Sequence, residues 1–522
     1  MKFKFKIYFS FLLFFIYFFF IIKIFIGDTG AKYAYEYLNT KIDDNFTLNQ
    51  REIHLLDYNE EKKQKFNKSN DILGWKKNYK KIDFDENSIS KKDLEESFSW
   101  IRSHGGDYSN KFSNLEQINV ANISDLELLW KFDSSKIFFF NKKWNNNVET
   151  NPIYYDGLVY TTTPYNEVLA INVLTGSLEW KFKSLKEISS RGITFWKNEN
   201  NLKESCIFVP IRESIFCINY KTGKRMKTFG IDGYINSSIV RAAPLIWNNK
   251  LIVATLNPPQ IRLYSLPKGI LEWSLPLHPQ DRKFEGGTPW GGISLDNQRN
   301  LVFLTTGNPR PALYGGTRLG DNYNSNSVIA IDLIKKKIKW SFQEVSHDLW
   351  DYDIAAPPIL ASIKINNEFI DVVIVATKIG NTFIFKRENG EPFFDINYNI
   401  APKSDVPGEI TSKYQISRDL PESLIKFKFE KSDITNRTKE SYNYIHTHLE
   451  NYKYGWFEPP SIKKPLVLYG LHGGAQWTGG VVNPYTQNFF VIIDCNLQSL
   501  RRILSAKCGE TLLKFPSRLK VF

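Results

Sequence analysis

From Trp100 onward, short runs of β-branched and aromatic residues alternate with turns rich in Gly, Pro, Asn and Asp, the pattern of an all-β chain. One unit recurs: a strand, a turn, and a second strand ending in an aromatic residue. It is seen in Val168–Trp180 (VLAINVLTGSLEW), Ile215–Phe229 (IFCINYKTGKRMKTF), Ile261–Trp273 (IRLYSLPKGILEW), Val328–Trp340 (VIAIDLIKKKIKW) and Thr382–Phe394 (TFIFKRENGEPFF). Asp125–Phe132 (DLELLWKF) supplies the closing half of one more. The terminal aromatics stand at 130, 180, 229, 273, 340 and 394. Their spacing of about 50 residues matches one four-stranded blade of a β-propeller. Gly176, Gly269 and Gly390 each lie four residues before their aromatic, where a tight hairpin turn needs them. The aromatics are expected to pack between blades, and a radial array of such sheets leaves an axial pocket for a ligand.

The pattern ahead of this region is different. Lys2, Lys4 and Lys6 precede an uncharged run from Ile7 to Ile22, and after Lys23 the apolar character continues to Ile26. About 20 such residues span the ~30 Å hydrocarbon core as a helix. Residues 1–27 are read as an uncleaved anchor, since Gly27–Ala31 (GDTGA) is a poor cleavage site; a secretory signal is the alternative. The basic flank places the remainder outside the cytoplasm, anchored to an inner membrane with its domain in the periplasm. Residues 28–97 are polar and read as a spacer, and 98–494 hold the blade pattern. After Asn488–Asp494 (NFFVIID), residues 495–522 carry six basic residues against one acid, with no hairpin turn and no closing Trp. That texture suits a frameshifted or truncated end, with a short helical cap over Leu497–Leu504 as the alternative.

Composition changes this picture little. Aromatics make up 15% of the 522 residues, a load that suits packed sheets. The net charge of +13 comes from scattered lysines without a basic stripe, so no nucleic-acid partner is expected. The four cysteines form no CxxC, which indicates neither a c-type haem nor a CxxC zinc site. Cys206 and Cys217 fall on neighbouring strand-like runs and could pair, with buried free thiols the favoured state.

Three segments carry candidate chemistry. His347–Asp353 (HDLWDYD) places Asp348, Asp351 and Asp353 within six residues, ahead of Lys378 in ATKIGNTF. In an extended segment Asp351 and Asp353 would share one face and Asp348 the other. A carboxylate beside a cation can stay ionised and serve as a base; an Asp/Trp-rich turn that merely caps strands is the plain alternative. Thr305–Pro311 (TTGNPRP) exposes Asn308, whose amide oxygen suits a hard cation. Gly286–Gly292 (GGTPWGG) sets Trp290 among glycines that would let a flat ligand approach its ring, although a buried core Trp reads the same way.

Trp100–Asn119 (WIRSHGGDYSNKFSNLEQIN), SSRGITF, TTGNP, HDLWDYD, ATKIGN and GGAQWTGG follow one another in the order found in quinoprotein dehydrogenases dependent on pyrroloquinoline quinone (PQQ). The chain resembles the membrane-bound glucose dehydrogenase branch of that family. The resemblance implies an eight-bladed propeller, of which about six blades are encoded here. By the same resemblance Asp351 is the catalytic base and a metal contact, and Lys378 is the cation beside the reactive quinone carbonyl. Asn308 becomes a ligand of Ca²⁺ or Mg²⁺, and Trp290 the ring under the cofactor. By the same resemblance Glu149 (NNVETNP) is an acidic residue near the cofactor, and Arg191 (SSRGITF) is a candidate to meet its carboxylates. Tyr165 in TTTPYNEV stands where the glucose dehydrogenases carry a His, and VATLNPPQI is shorter than its counterpart there. The expected function is oxidation of a small sugar or alcohol outside the cytoplasm, with electrons passing to membrane quinone. A non-catalytic propeller scaffold and an inactive remnant of the enzyme are the alternatives.

Overall fold

A computed structural model describes residues 100–134 and 149–494 apart from 283, 435 and 470–473, together with 90, 91, 93 and three short strands between 497 and 513. The expected membrane segment and nearly all of the spacer lie outside the described residues. Among the described residues no helix is long and apolar enough to cross a membrane.

The architecture is all-β and propeller-like. Four antiparallel four-stranded sheets follow one another, three of them built from strands adjacent in sequence and the fourth interrupted only by Pro309–Arg310. The first runs from Ile153–Tyr155 to Leu178–Lys183 and the second from Thr194–Trp196 to Tyr234–Asn236. The third runs from Leu245–Trp247 to Ile270–Pro276 and the fourth from Ile293–Asp296 to Lys337–Gln343. A fifth, three-stranded sheet comprises Ile359–Ile365, Glu368–Ala376 and Thr382–Lys386, and a hairpin of Gly474–Asn483 with Asn488–Asp494 follows it. The described residues thus fall short of the eight blades that the resemblance implies.

Burial explains why the sheets stand face to face. Central strands such as Cys206–Ile211, Leu301–Thr305 and Ser327–Asp332 are buried along their whole length, as strands covered on both faces must be. Outer strands such as Leu178–Lys183 show exposed positions among the buried ones. Four apolar clusters each join two consecutive sheets. Ile153, Tyr160 and Trp180 of the first pack with Ile207 and Val209 of the second; Phe208 and Cys217 pack with Leu251 and Val253 of the third. Ile252 and Leu263 pack with Leu295 and Ile329 of the fourth, and Phe303 and Val328 with Leu360 and Phe385 of the fifth.

The recurring aromatics fasten these seams. Trp180 Nε1 donates to the carbonyl of Tyr220 in the next sheet (2.8 Å), and Gly223 lies flat against the Trp180 ring. Trp130 meets Gly176, Phe229 meets Gly269 and Trp340 meets Gly390 in the same way. The glycines therefore do more than turn the hairpin: a Cβ on Gly223, where φ is +68°, would stand 2.7 Å from the Trp180 ring. Gly223→Ala is expected to cost about 2 kcal/mol through backbone strain and that clash, read as a lowered urea midpoint with unchanged slope.

Several expectations change. Residues 224–229 do not form the second strand of their unit; Arg225 makes an isolated bridge to Ile218, and the sheet closes instead with Tyr234–Asn236 after a loop holding Gly230 and Gly233 at positive φ. The fourth strand of the fifth unit is reduced to a bridge between Phe385 and Pro392, because proline has no amide to extend the ladder. Asp125–Phe132 is not a strand, although Trp130 keeps its seam contact by donating to the Val173 carbonyl (2.8 Å). Cys206 and Cys217 are not free thiols. They form a disulfide across the hairpin of Cys206–Ile211 and Ser214–Asn219, whose register puts them on one face with Cα atoms 5.7 Å apart. Leu497–Leu504 is not helical: Leu497–Leu500 pairs with Leu466–Tyr469, and Arg502–Leu504 pairs with Thr511–Leu513. Among the described residues the α-helix Lys439–Leu449 interrupts the strands, started by a capping box between Thr438 and Ser441.

Candidate functional site

The HDLWDYD segment leaves the fourth sheet and does not continue as a strand. Asp348 folds it: its carboxylate accepts from the amides of Trp350 (2.8 Å) and Tyr352 (2.8 Å) and from Asn326 Nδ2 (2.9 Å). Buried within that turn, its carboxyl is pushed up to about 6 by desolvation. The turn carries Asp351 at φ 64° and presents Asp351 and Asp353 together to Lys378, with Asp348 turned away. The grouping expected from strand alternation is therefore met, but by a turn.

Lys378 Nζ stands 3.1 Å from Asp351 Oδ2 and 3.4 Å from Asp353 Oδ2, and it also donates to the Asp351 carbonyl. Its backbone is fixed by the Ala475 amide on the Thr377 carbonyl (3.0 Å) and by Gly474, where a Cβ would strike the Lys378 carbonyl. The TTGNP loop brings Asn308 to the opposite side. Asn308 Nδ2 donates to Asp351 Oδ1 (2.7 Å) and its amide to Asp353 Oδ1 (3.0 Å). Trp290 Nε1 donates to the same Asp353 oxygen (3.0 Å). Gly307 permits this closeness, because a Cβ there would meet Asp353 Oδ1 at 2.2 Å and Trp290 Nε1 at 2.5 Å.

Arg191 completes the group. Its Nη1 donates to the Trp290 carbonyl (3.1 Å) and its Nε to Glu149 Oε2 (2.8 Å). The guanidinium lies 4.5 Å from the Trp290 ring centroid and 5.2 Å from that of Trp477. The six residues singled out in the sequence, Glu149, Arg191, Trp290, Asn308, Asp351 and Lys378, thus form one connected cluster. Two members were not singled out. Asp353 was read only as one of three carboxylates, and Trp477 only as part of GGAQWTGG; both lay inside quoted motifs. Lys111, from the Trp100–Asn119 motif, donates to the Thr478 carbonyl beside Trp477, and burial lowers its amine to about 8.

Burial and the neighbouring Asp353 charge raise Asp351 above the ordinary carboxylate value against the pull of Lys378. Burial opposes the charge on Lys378, but Asp353 and Asp351 outweigh it, so the ammonium is held protonated. Asp353 is committed to three donors, Asn308, Trp290 and Lys378, and its side chain is 9% exposed, whereas that of Asp351 is 27% exposed and reachable. A flat polyanion fits this donor set: two indole faces, an arginine between them, and a buried ammonium beyond. A divalent cation fits less completely. Asn308 and Asp351 supply two hard donors, and the described residues contain no group of three or more His, Cys, Asp or Glu able to hold a metal. A cation there would draw its remaining oxygens from the bound cofactor.

Behind Lys378, Glu344 accepts from Asn381 Nδ2 (2.7 Å) while its other oxygen is buried without a partner. Desolvation pushes its carboxyl from the ordinary 4.5 up to about 7. The folded state therefore holds this proton more tightly than the unfolded chain, so the contribution of Glu344 to stability falls as pH rises between those values. Glu344→Gln is expected to raise the melting temperature relative to the parent at pH 8 and to show little or none of that gain at pH 4.5, by calorimetry.

The family model described as the glucose/ethanol/alcohol dehydrogenase β-propeller domain, PQQ, matches residues 100–515. Quinoprotein glucose dehydrogenase A of Acinetobacter calcoaceticus is 27% identical over 440 residues, 72% of this chain and 55% of that protein. Quinohemoprotein alcohol dehydrogenase of Comamonas testosteroni is 28% identical over 357 residues, 59% of this chain and 47% of that one. The crystal structure of the Comamonas enzyme superposes with a TM-score of 0.57 at 20% identity, covering 80% of this chain and 61% of that one, which shows the shared fold. The chain spans about half the length of the curated relatives it matches. With four-fifths of its residues inside the family model, the chain belongs to the PQQ family of glucose/ethanol/alcohol dehydrogenase β-propellers.

Proposed function

We propose that the protein is a PQQ-dependent dehydrogenase that oxidises a sugar or alcohol, with Asp351 as the base. The observation that carries this reading is the Asp351–Lys378 pair, a reachable carboxylate and a buried ammonium at 3.1 Å, joined through Asn308 and Asp353 to the Trp290 ring. Trp290 and Trp477 would flank the quinone, and Arg191 would move from between the rings to its carboxylates. When bound, the orthoquinone supplies the acceptor for the hydride and both its electrons. Asp351 takes the hydroxyl proton of the substrate, and Lys378 sets a fixed positive charge where negative charge develops. Asp353 holds the ammonium and the Trp290 edge in place. Asn308 and Asp351 would hold Ca²⁺ or Mg²⁺ together with oxygens of the cofactor.

The basic flank and apolar run of residues 1–27 support a periplasmic site anchored at the membrane, with membrane quinone as the electron acceptor. The test is reconstitution of the full chain with PQQ and Ca²⁺ or Mg²⁺, followed by dye reduction with aldoses and alcohols. Quenching of tryptophan fluorescence by PQQ at micromolar concentration and substrate-dependent dye reduction are expected. If PQQ leaves the fluorescence unchanged at that concentration, the cofactor assignment is wrong.

A further inference from the structure

Beside the candidate base lies a charged cleft that the chemistry above does not use. Pro309–Arg310 pairs with Glu285–Gly286 as a two-stranded patch, with Arg310 opposite Glu285. Arg310 is two residues beyond Asn308, and its charge is close enough to act on Asp351. The adjoining open cleft of about 520 Å³ is walled by Arg282, Phe284, Glu285, Arg310, Pro311 and Thr317. Arg282 is set in that wall: its guanidinium lies 5.4 Å from the Phe284 ring centroid and Nη1 donates to the Gly286 carbonyl (3.3 Å). Gly286, at φ +78°, lets the Arg310 stem lie close, since a Cβ would stand 2.9 Å from Arg310 Cγ and 2.5 Å from the Asn308 carbonyl.

Arg310 is exposed and, among the described residues, its guanidinium forms no hydrogen bond or ion pair, even with Glu285 across the strand pair. Two guanidiniums against one carboxylate leave the described wall with one positive charge in excess. An unpaired fork of donors facing an open cleft is suited to bidentate capture of a planar anion. The single excess charge matches a monoanion better than a phosphate dianion.

We infer that the substrate carries a carboxylate, held by Arg310 and Arg282 while its hydroxyl reaches Asp351, so that the substrate class is a hydroxy acid or sugar acid. This rests on the dehydrogenase reading for the reaction, but the binding claim can be tested without turnover. D-gluconate, D-glucose and D-glucose 6-phosphate are titrated by calorimetry into the full chain with and without PQQ, alongside dye-reduction assays.

Gluconate is expected to bind at least about tenfold more tightly than either other ligand. Arg310→Gln and Arg282→Gln should each weaken gluconate binding by about tenfold, the worth of one charge-assisted contact, and leave glucose binding as it was. Lys335→Gln, which removes a charge from the exposed turn before Lys337–Gln343, should leave gluconate binding unchanged. Gluconate no tighter than glucose, tighter binding of the phosphate, or indifference to both arginine variants overturns the inference. If glucose or ethanol is oxidised under any of those outcomes, the dehydrogenase reading survives and the carboxylate site does not. If gluconate binds tightly and depends on the arginines, but no substrate reduces the dye, the site stands and the dehydrogenase reading falls.

Discussion

Replacing Asp351 with Asn is expected to lower kcat in the PQQ-reconstituted protein by about 10³-fold, within the range that a positioned general base contributes. The substitution keeps the size and planarity of the side chain. Lys378 retains the Asp351 backbone carbonyl and Asp353 Oδ2 at 3.4 Å, so the ammonium is not orphaned and the turn, which Asp348 holds, should persist. Arg191, Trp290 and Trp477 are untouched, and PQQ affinity measured by fluorescence without added divalent cation should stay within about twofold, well under 1.4 kcal/mol. In the parent protein kcat/KM should rise with pH through a step above 3.8, because Asp351 must lose its proton to act and its environment holds that proton more tightly than water does. A loss in kcat smaller than tenfold would remove Asp351 from the role of base and point to Asp353. Lys378→Gln is the sterner companion, since it leaves Asp351 and Asp353 facing one another without a cation.

Arg387→Leu should destabilise the fold by about 3–5 kcal/mol, the usual consequence of removing one partner from a buried ion pair. The Arg387 and Asp296 side chains are both 0% exposed and lie 3.2 Å apart. Arg387 also donates to the carbonyls of Val372 (3.0 Å) and Ala361 (2.8 Å), and its guanidinium lies 4.6 Å from the Tyr108 ring centroid. Leucine satisfies none of these acceptors and tethers the fourth and fifth sheets less firmly. Asp296 keeps Arg299 (3.0 Å) and two backbone donors, which sets the lower end of the range. Equilibrium urea unfolding measures it, and a loss below about 1 kcal/mol would mean that Arg299 alone compensates.

Much of this arrangement was legible in the residues themselves, because a blade repeats its hydrophobic alternation and closes on an aromatic. The alternation failed where one residue type vetoed it: Pro392 cannot extend a ladder, and Gly230 and Gly233 turn the chain before the second sheet closes. The Lys439–Leu449 helix was invisible to periodicity because only Leu449 in it is buried. The site residues were visible as motifs, yet their union was not. It depends on Asp351 adopting φ 64° and on Gly307 admitting both Trp290 and Asp353. The Cys206–Cys217 bond needed the strand register, which spacing alone leaves open.

The seams between sheets run in one direction. Four of the six closing aromatics reach forward to the hairpin of the following unit, from Trp130 to Gly176, Trp180 to Gly223, Phe229 to Gly269 and Trp340 to Gly390. Even Lys336, four residues before Trp340 where other units place glycine, keeps the turn at φ 53°. A unit joined in this way bears a plug at one end and a socket at the other, as links of a chain do. A duplicated gene segment coding for one unit would arrive with both fittings intact and could be spliced into the array without redesign of its neighbours. Inheritance by whole units, rather than residue by residue, is the form of variation this construction favours.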